Sequence, residues 1–299
     1  MALVAPAPSP PVVAERRRLS LRAVPVYWHL LSFDAPTLAV LWAWTLARAV
    51  HALESWSALA VLGLGTWLLY IADRLLDGRA GSLRADLRER HVFHARHRRG
   101  LLIAGALTLA NLGWLIALMP AAARSEDASL FAVALLYFGA VHLGWPRTPG
   151  RFRFPRELAV AVIFACATAV PAWSASTAAR VDLVWLVALF AALCWTNCAA
   201  IHVWESARTP RRWSHISTMA LLVAALAGTL MTAALRHPYV FLVLGAMLAS
   251  ALLLFALDRD FTRARRRPSP HGELSPLALR ILADAALLTP LLLLLPWHR

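Results

Sequence analysis

The chain has 299 residues, 60% of them hydrophobic and 15% charged, with a mean hydropathy of +0.61. Soluble domains carry about 25% charged residues, so this composition argues against both a soluble globular enzyme and a disordered protein. The formal net charge is +14 and all 30 basic residues are Arg, which excludes Schiff-base lysine chemistry and a phosphate loop built on Lys.

Residues 1–24 are rich in Pro, Ala and Arg and read as a disordered basic arm ahead of a single domain, 25–299. A bilayer core needs about 20 mostly apolar residues per helix. Nine stretches meet that need, near 35–52, 56–76, 101–119, 128–145, 158–175, 183–204, 217–235, 239–257 and 277–295. They predict an all-α polytopic membrane protein, a bundle of nine transmembrane helices with short connections. The arginines then sort by segment. Twenty-three lie in the N-terminal arm and in the segments after the second, fourth, sixth and eighth stretches. Five lie in the alternate segments: Arg48, Arg124, Arg180, Arg236 and Arg299. The positive-inside rule reads this alternation as a cytoplasmic N-terminus and an outside C-terminus, in the inner membrane of a bacterium. Topology accounts for the charge, so nucleic acid is not expected as a partner.

The second stretch ends Tyr70-Ile-Ala-Asp73-Arg-Leu-Leu-Asp77. Asp73 and Asp77 are four apart and share a helix face. They lie at a helix C-terminus, where the macrodipole disfavours negative charge, and acids near the bilayer are costly. A divalent cation shared with a phosphate-bearing ligand offsets both costs, since Mg²⁺ is commonly held by one or two carboxylates plus phosphate oxygens. Pairing with Arg74, Arg79 or Arg84 as solvated interfacial residues is the alternative. In the following segment His91, His94 and His97 recur every third residue, so they drift by about 60° per step and do not converge on one ion. Asp86 and Glu89 suggest a short amphipathic helix there.

Of the cysteines, Cys194 and Cys198 share a helix face in the sixth stretch, and with Cys166 they read as small core residues. That stretch ends Asn197-Cys-Ala-Ala-Ile201-His202-Val-Trp-Glu205. Asn197 and Glu205 line one broad face, and Glu205 is again an acid at a helix C-terminus, with pairing to Arg208 or Arg211 as its alternative. Asp258 and Asp260 read as solvated. Arg280 and Asp284, four apart in the ninth stretch, read as an ion pair within the helix that faces the bundle interior.

Nine spans with acids closing the second and sixth stretches at one membrane face resemble the UbiA superfamily of intramembrane prenyltransferases. Asp73 and Asp77 match the two acids of that family's Asn-x3-Asp-x3-Asp motif, and Leu69 stands where its Asn would be. Glu205 matches the last acid of the second motif, with Ile201 four before it and Asn197 four before that. Tyr137 and the run Arg147, Arg151, Arg153, Arg156 occupy the region of the family's Tyr-x3-Lys motif. The resemblance implies transfer of a polyprenyl group from a prenyl diphosphate to an aromatic or other lipophilic acceptor. It implies Mg²⁺ on Asp73, Asp77 and Glu205, which also serve as the catalytic residues. Substrate binding would fall to Asn197, Tyr137, Arg84, Arg147, Arg153, Arg156 and His202, with Trp145 and Trp195 as further ring faces for a carbocation. The alternative is a non-catalytic protein of the same fold that binds a membrane lipid or a partner.

Overall fold

The structure, a computed structural model, describes residues 24–52, 55–81, 89–142, 156–178, 180–205, 215–266 and 274–294. Those residues are helical throughout, in the order α1 (Val24–Leu30), α2 (Asp34–Ala49), α3 (Trp56–Gly81), α4 (Glu89–Arg96), α5 (Arg98–Leu118), α6 (Ala121–His142), α7 (Arg156–Ala175), α8 (Arg180–Glu205), α9 (Ile216–Ala233), α10 (Pro238–Arg266) and α11 (Pro276–Ala285), closed by a 3₁₀ segment, Ala286–Leu294. Six helices among these residues are long and apolar enough to cross a membrane: 56–76 of α3, α5, α7, α8, α9 and 238–264 of α10. α1 and α2, bent by 92° at a short break, make a seventh if counted together. Each of the nine expected stretches is largely helical. However, α6 carries Arg124, Glu126 and Asp127 near its start, and the last stretch is a short α-helix continued by 3₁₀ turns. The short helix expected around Glu89 is α4.

The corner between α1 and α2 shows how the breaks are sustained. Ser32 turns the chain with φ 61°, a conformation that costs a non-glycine residue energy. Phe33 N donates to Trp28 O and Ser32 N to His29 O, the paired bonds of a Schellman cap with Ser32 in the left-handed position. α3 braces this corner: Trp67 Nε1 donates to Leu31 O at 3.0 Å, and Arg74 Nη1 adds a bond to His29 O at 2.8 Å. At the other end of α2, Ala52 N donates to Ala47 O and His51 N to Arg48 O, the paired bonds of a Schellman cap with His51 in the left-handed position, φ 53°. Ser275 caps α11 through its hydroxyl, and Pro276 opens the helix where its missing N–H is not needed. The 3₁₀ geometry that follows has local causes. Pro290 lacks the N–H that Ala286 O would accept in an α-helix, and Leu287 O is taken instead by Trp42 Nε1 at 2.9 Å.

α2 and α8 form the core. Trp42, Leu46, Leu186, Phe190 and Leu193 are fully buried, and Trp42 stacks on Phe190 with centroids 4.4 Å apart. The face of α7 that meets α2 and α8 is built of Ala161, Ala165, Ala169 and Ala172, small residues that let the backbones approach. α5 and α6 are peripheral: α5 packs on α3 and α6 on α7, and their outer faces expose Leu102, Ile103, Leu107, Leu136 and other apolar side chains. That is the surface expected of helices facing lipid.

Interhelix contacts pair the element ends in alternation. The end of α3 meets the starts of α2 and α7, and the end of α8 meets the starts of α7 and α11. At the opposite end, the start of α6 meets the start of α8 through Glu126 and Arg180, 3.2 Å apart. The helix ends that precede or follow the arginine-rich segments therefore gather at one end of the bundle, the arginine-rich end.

Candidate functional site

Two polar layers occupy the arginine-rich end. The outer one is a mouth formed by α3, α6, α7 and α8. Arg156 Nη2 lies 3.6 Å from Asp73 Oδ1, with both side chains partly exposed. Tyr137 donates its hydroxyl to Arg156 O at 3.3 Å. His202 Nδ1 lies 3.3 Å from Glu157 Oε1. The structure thus brings together four residues that the sequence singled out, Asp73, Tyr137, Arg156 and His202, and adds Glu157.

The inner layer is buried. Asp34 Oδ2, at the start of α2, lies 2.7 Å from His29 Nδ1 and 3.3 Å from Arg74 Nη2. Asp284 Oδ2 lies 3.8 Å from the same His29 nitrogen, and Asn197 Nδ2 donates to Asp284 Oδ1 at 3.3 Å. Arg280 Nη1 donates to Glu205 Oε1 at 3.1 Å. Burying charges is tolerable only when they are paired in this way, since an unpaired ion in a low-dielectric interior costs several kcal/mol, about 3–5 when one partner of a pair is removed.

A small cavity of about 80 Å³ sits in this layer, bounded by Asp34, Tyr70, Asn197, Cys198, Arg280 and Asp284, with Ala161 and Phe164 as apolar wall. Helical spacing relates it to the mouth. Tyr70 is one turn before Asp73, Glu157 one turn before Ala161, and Cys198 one turn before His202. On three helices, then, the mouth residues stand one turn from the cavity wall. A larger cavity of about 260 Å³ lies at the opposite end, between His51, Asp182, Trp185, His237 and Tyr239, and none of the expected site residues lines it.

The expected residues divide between the layers. Asn197 and Glu205 do face the interior from α8, but toward α11. Arg280 and Asp284 also face inward, but each reaches another helix, and the expected pair within α11 is not formed. Asp258, expected to be solvated, is 1% exposed and accepts from Trp204 Nε1 at 3.1 Å and Ser217 Oγ at 2.5 Å. Asp260 is exposed and pairs with Arg263. Arg84, Arg147, Arg153 and Trp145 lie outside the described residues, as does the side chain of Asp77. His29 and Asp34 were not singled out by the sequence, and Arg74, named there only as a solvated partner for Asp73 and Asp77, is instead buried on Asp34 and His29 O. The available signal was Arg74 itself, a charge inside an apolar stretch, and Asp34 at the threshold of another. Among the described residues, the one set of three metal-ligating groups within reach of a common ion is His29, Asp34 and Asp284. No protein-family model, curated protein or solved structure matches the chain.

Proposed function

We propose that the protein is an intramembrane prenyltransferase, with the arginine-rich mouth gripping the diphosphate of a polyprenyl donor and the space beneath receiving the reacting groups. The observation that carries this reading is the mouth itself. Acid, guanidinium and imidazole from three helices stand one turn above a cavity whose walls are partly apolar, and the Tyr137 phenol of a fourth helix is bonded to the Arg156 carbonyl beside them. A diphosphate ester with a lipid tail has that same division of polarity, and a cation-lined opening on an apolar interior is suited to it.

The donor set allows Mg²⁺ at the mouth. Asp73 is partly exposed, its contact with Arg156 at 3.6 Å is loose, and Asp77 follows one turn later on α3. Two carboxylates and two diphosphate oxygens make an ordinary Mg²⁺ environment. When bound, the ion neutralises charge developing on the leaving pyrophosphate. Glu205 is less suited to the metal than the family resemblance implies, because Arg280 already holds it; in this reading it positions Arg280 at the cavity wall. Arg156 would bind the outgoing pyrophosphate, and Arg84, Arg147 and Arg153 are assigned to the same task by resemblance alone. The allylic C–O bond breaks with its electron pair leaving on pyrophosphate. The acceptor carbon bonds to the allylic carbon and loses a proton, which His202, oriented by Glu157, is suited to take. The apolar wall keeps water from the cation.

A specific observation favours a second reading. Asp73 and Glu205 each have an arginine in contact, so neither acid requires Mg²⁺ as its counter-charge, as a non-catalytic lipid-binding relative would allow. The test is purified protein in lipid nanodiscs with Mg²⁺, a lipid-extract acceptor pool and prenyl diphosphates of increasing length. Mg²⁺-dependent pyrophosphate release, with a prenylated product in the mass spectrum, is expected. Donor binding without release supports the second reading, and neither binding nor release refutes both.

A further inference from the structure

The buried cluster between α1, α2 and α11 carries an inference independent of prenyl transfer. Two observations converge there. First, three metal-ligating groups are buried together: His29 Nδ1 lies 2.7 Å from Asp34 Oδ2, a contact that a shared proton or a shared metal ion can sustain. Asp284 Oδ2 stands 3.8 Å from the same nitrogen, and all three ligand atoms lie within 4.8 Å of one another. Ligands about 2.0–2.2 Å from one tetrahedral zinc ion stand about 3.3 Å apart, so little movement is needed to close the set.

Second, polar atoms beside the three groups lack partners. Asn197 is 5% exposed and orients Asp284 through its amide nitrogen, while its own Oδ1 is buried with no hydrogen bond. Asn197 lines the cavity together with Asp34 and Asp284, where a fourth ligand would be needed.

We infer that His29 Nδ1, Asp34 Oδ2 and Asp284 Oδ2 form a buried site for a divalent cation of the zinc class, with Asn197 beside it. Imidazole with two carboxylates suits zinc better than the all-oxygen preference of Mg²⁺, which separates this site in kind from the carboxylates of the mouth. Its role is structural. α1 is seven residues long and bent by 92° from α2, and one ion would pin that corner to α11. Arg74, bonded to His29 O and to Asp34, holds two of the ligands in place from α3.

The full chain, purified in detergent, stripped with chelator, reloaded with Zn²⁺ and desalted, should retain about one zinc per chain. The mouth variant Asp73→Ala/Asp77→Ala should retain the same amount, whereas His29→Gln and Asp284→Asn should fall below about a tenth of it. Zinc should raise the melting temperature of the wild type and of the mouth variant. Should the cluster variants fail to fold, Co²⁺ in the wild type provides the check, through a visible absorption band of a low-coordinate nitrogen–oxygen site. Wild type retaining no zinc and giving no Co²⁺ band beyond that of the hydrated ion would overturn the site and leave a proton shared by His29 and Asp34 in place of the metal. Zinc retained equally by His29→Gln and Asp284→Asn would also overturn it. None of these readouts depends on pyrophosphate release.

Discussion

Arg74 and Asp73 are consecutive, yet they serve different layers. Successive helix positions turn by about 100°, which sends Arg74 inward to Asp34 and His29 O and Asp73 outward to Arg156. Arg74 is 4% exposed, so removing it leaves the buried Asp34 without its guanidinium partner. Arg74→Met should therefore cost about 3–5 kcal/mol in stability, and adding Asp34→Asn should recover part of that, read from melting curves in detergent. Asp73→Asn should behave oppositely. Its partly exposed pair is worth no more than about 1 kcal/mol, so melting should barely change, while pyrophosphate release falls on the order of 100-fold. The sequence made Asp73 and Asp77 visible because their spacing is itself a signal. Asp34 was not, because a lone acid before a helix reads as an ordinary first-turn residue, and only the packing of α2 on α3 brings Arg74 to it.

At the level of elements, the apolar runs were legible and the breaks were not. The ends of α7, α8 and α9 fall close to their expected limits because apolar composition decides them, whereas α10 runs nine residues past its expected limit into the charged residues that follow Leu257. The corner at Ser32 is a helix cap with a non-glycine residue in the left-handed position, braced by Trp67 and Arg74 of α3, and the 3₁₀ finish after Ala285 uses Trp42 of α2; no local pattern announces such partners. Asp258 belongs to the same class: its burial follows from the donors Trp204 and Ser217 brought by α8 and α9. The α7 face that meets α2 and α8 yields a direct test of packing. Ala165 is 0% exposed, so Ala165→Leu should force the helices apart and cost about 1–3 kcal/mol, whereas a Leu added on the outer face of α5 should change little. Equal effects at both positions would contradict the packing described.

For the whole molecule, the alternation of helix ends and of arginine-rich segments points the same way, with the acids, the mouth and the small cavity at the end that the positive-inside rule assigns to the cytoplasm. Six or seven spans qualify by length and composition among the described residues, and the nine crossings expected from the sequence are open to test: they predict an active C-terminal alkaline phosphatase fusion and a dark C-terminal green fluorescent protein fusion. A bright fluorescent fusion would remove the odd count. Charge sorting made this end of the bundle legible from the sequence, because it needs only the order of segments. Which acids share a layer was not legible, because that depends on helix rotation and on which helices are neighbours. The claim that joins these scales is that the mouth grips a diphosphate, and equilibrium binding of a non-hydrolysable prenyl thiodiphosphate, with and without Mg²⁺, tests it most directly. The account predicts Mg²⁺-dependent binding to the wild type, weakened at least about tenfold in Asp73→Asn and in Arg156→Gln, which corresponds to about 1.4 kcal/mol of lost contact. Binding that ignores Mg²⁺ and is equal in all three proteins would contradict it.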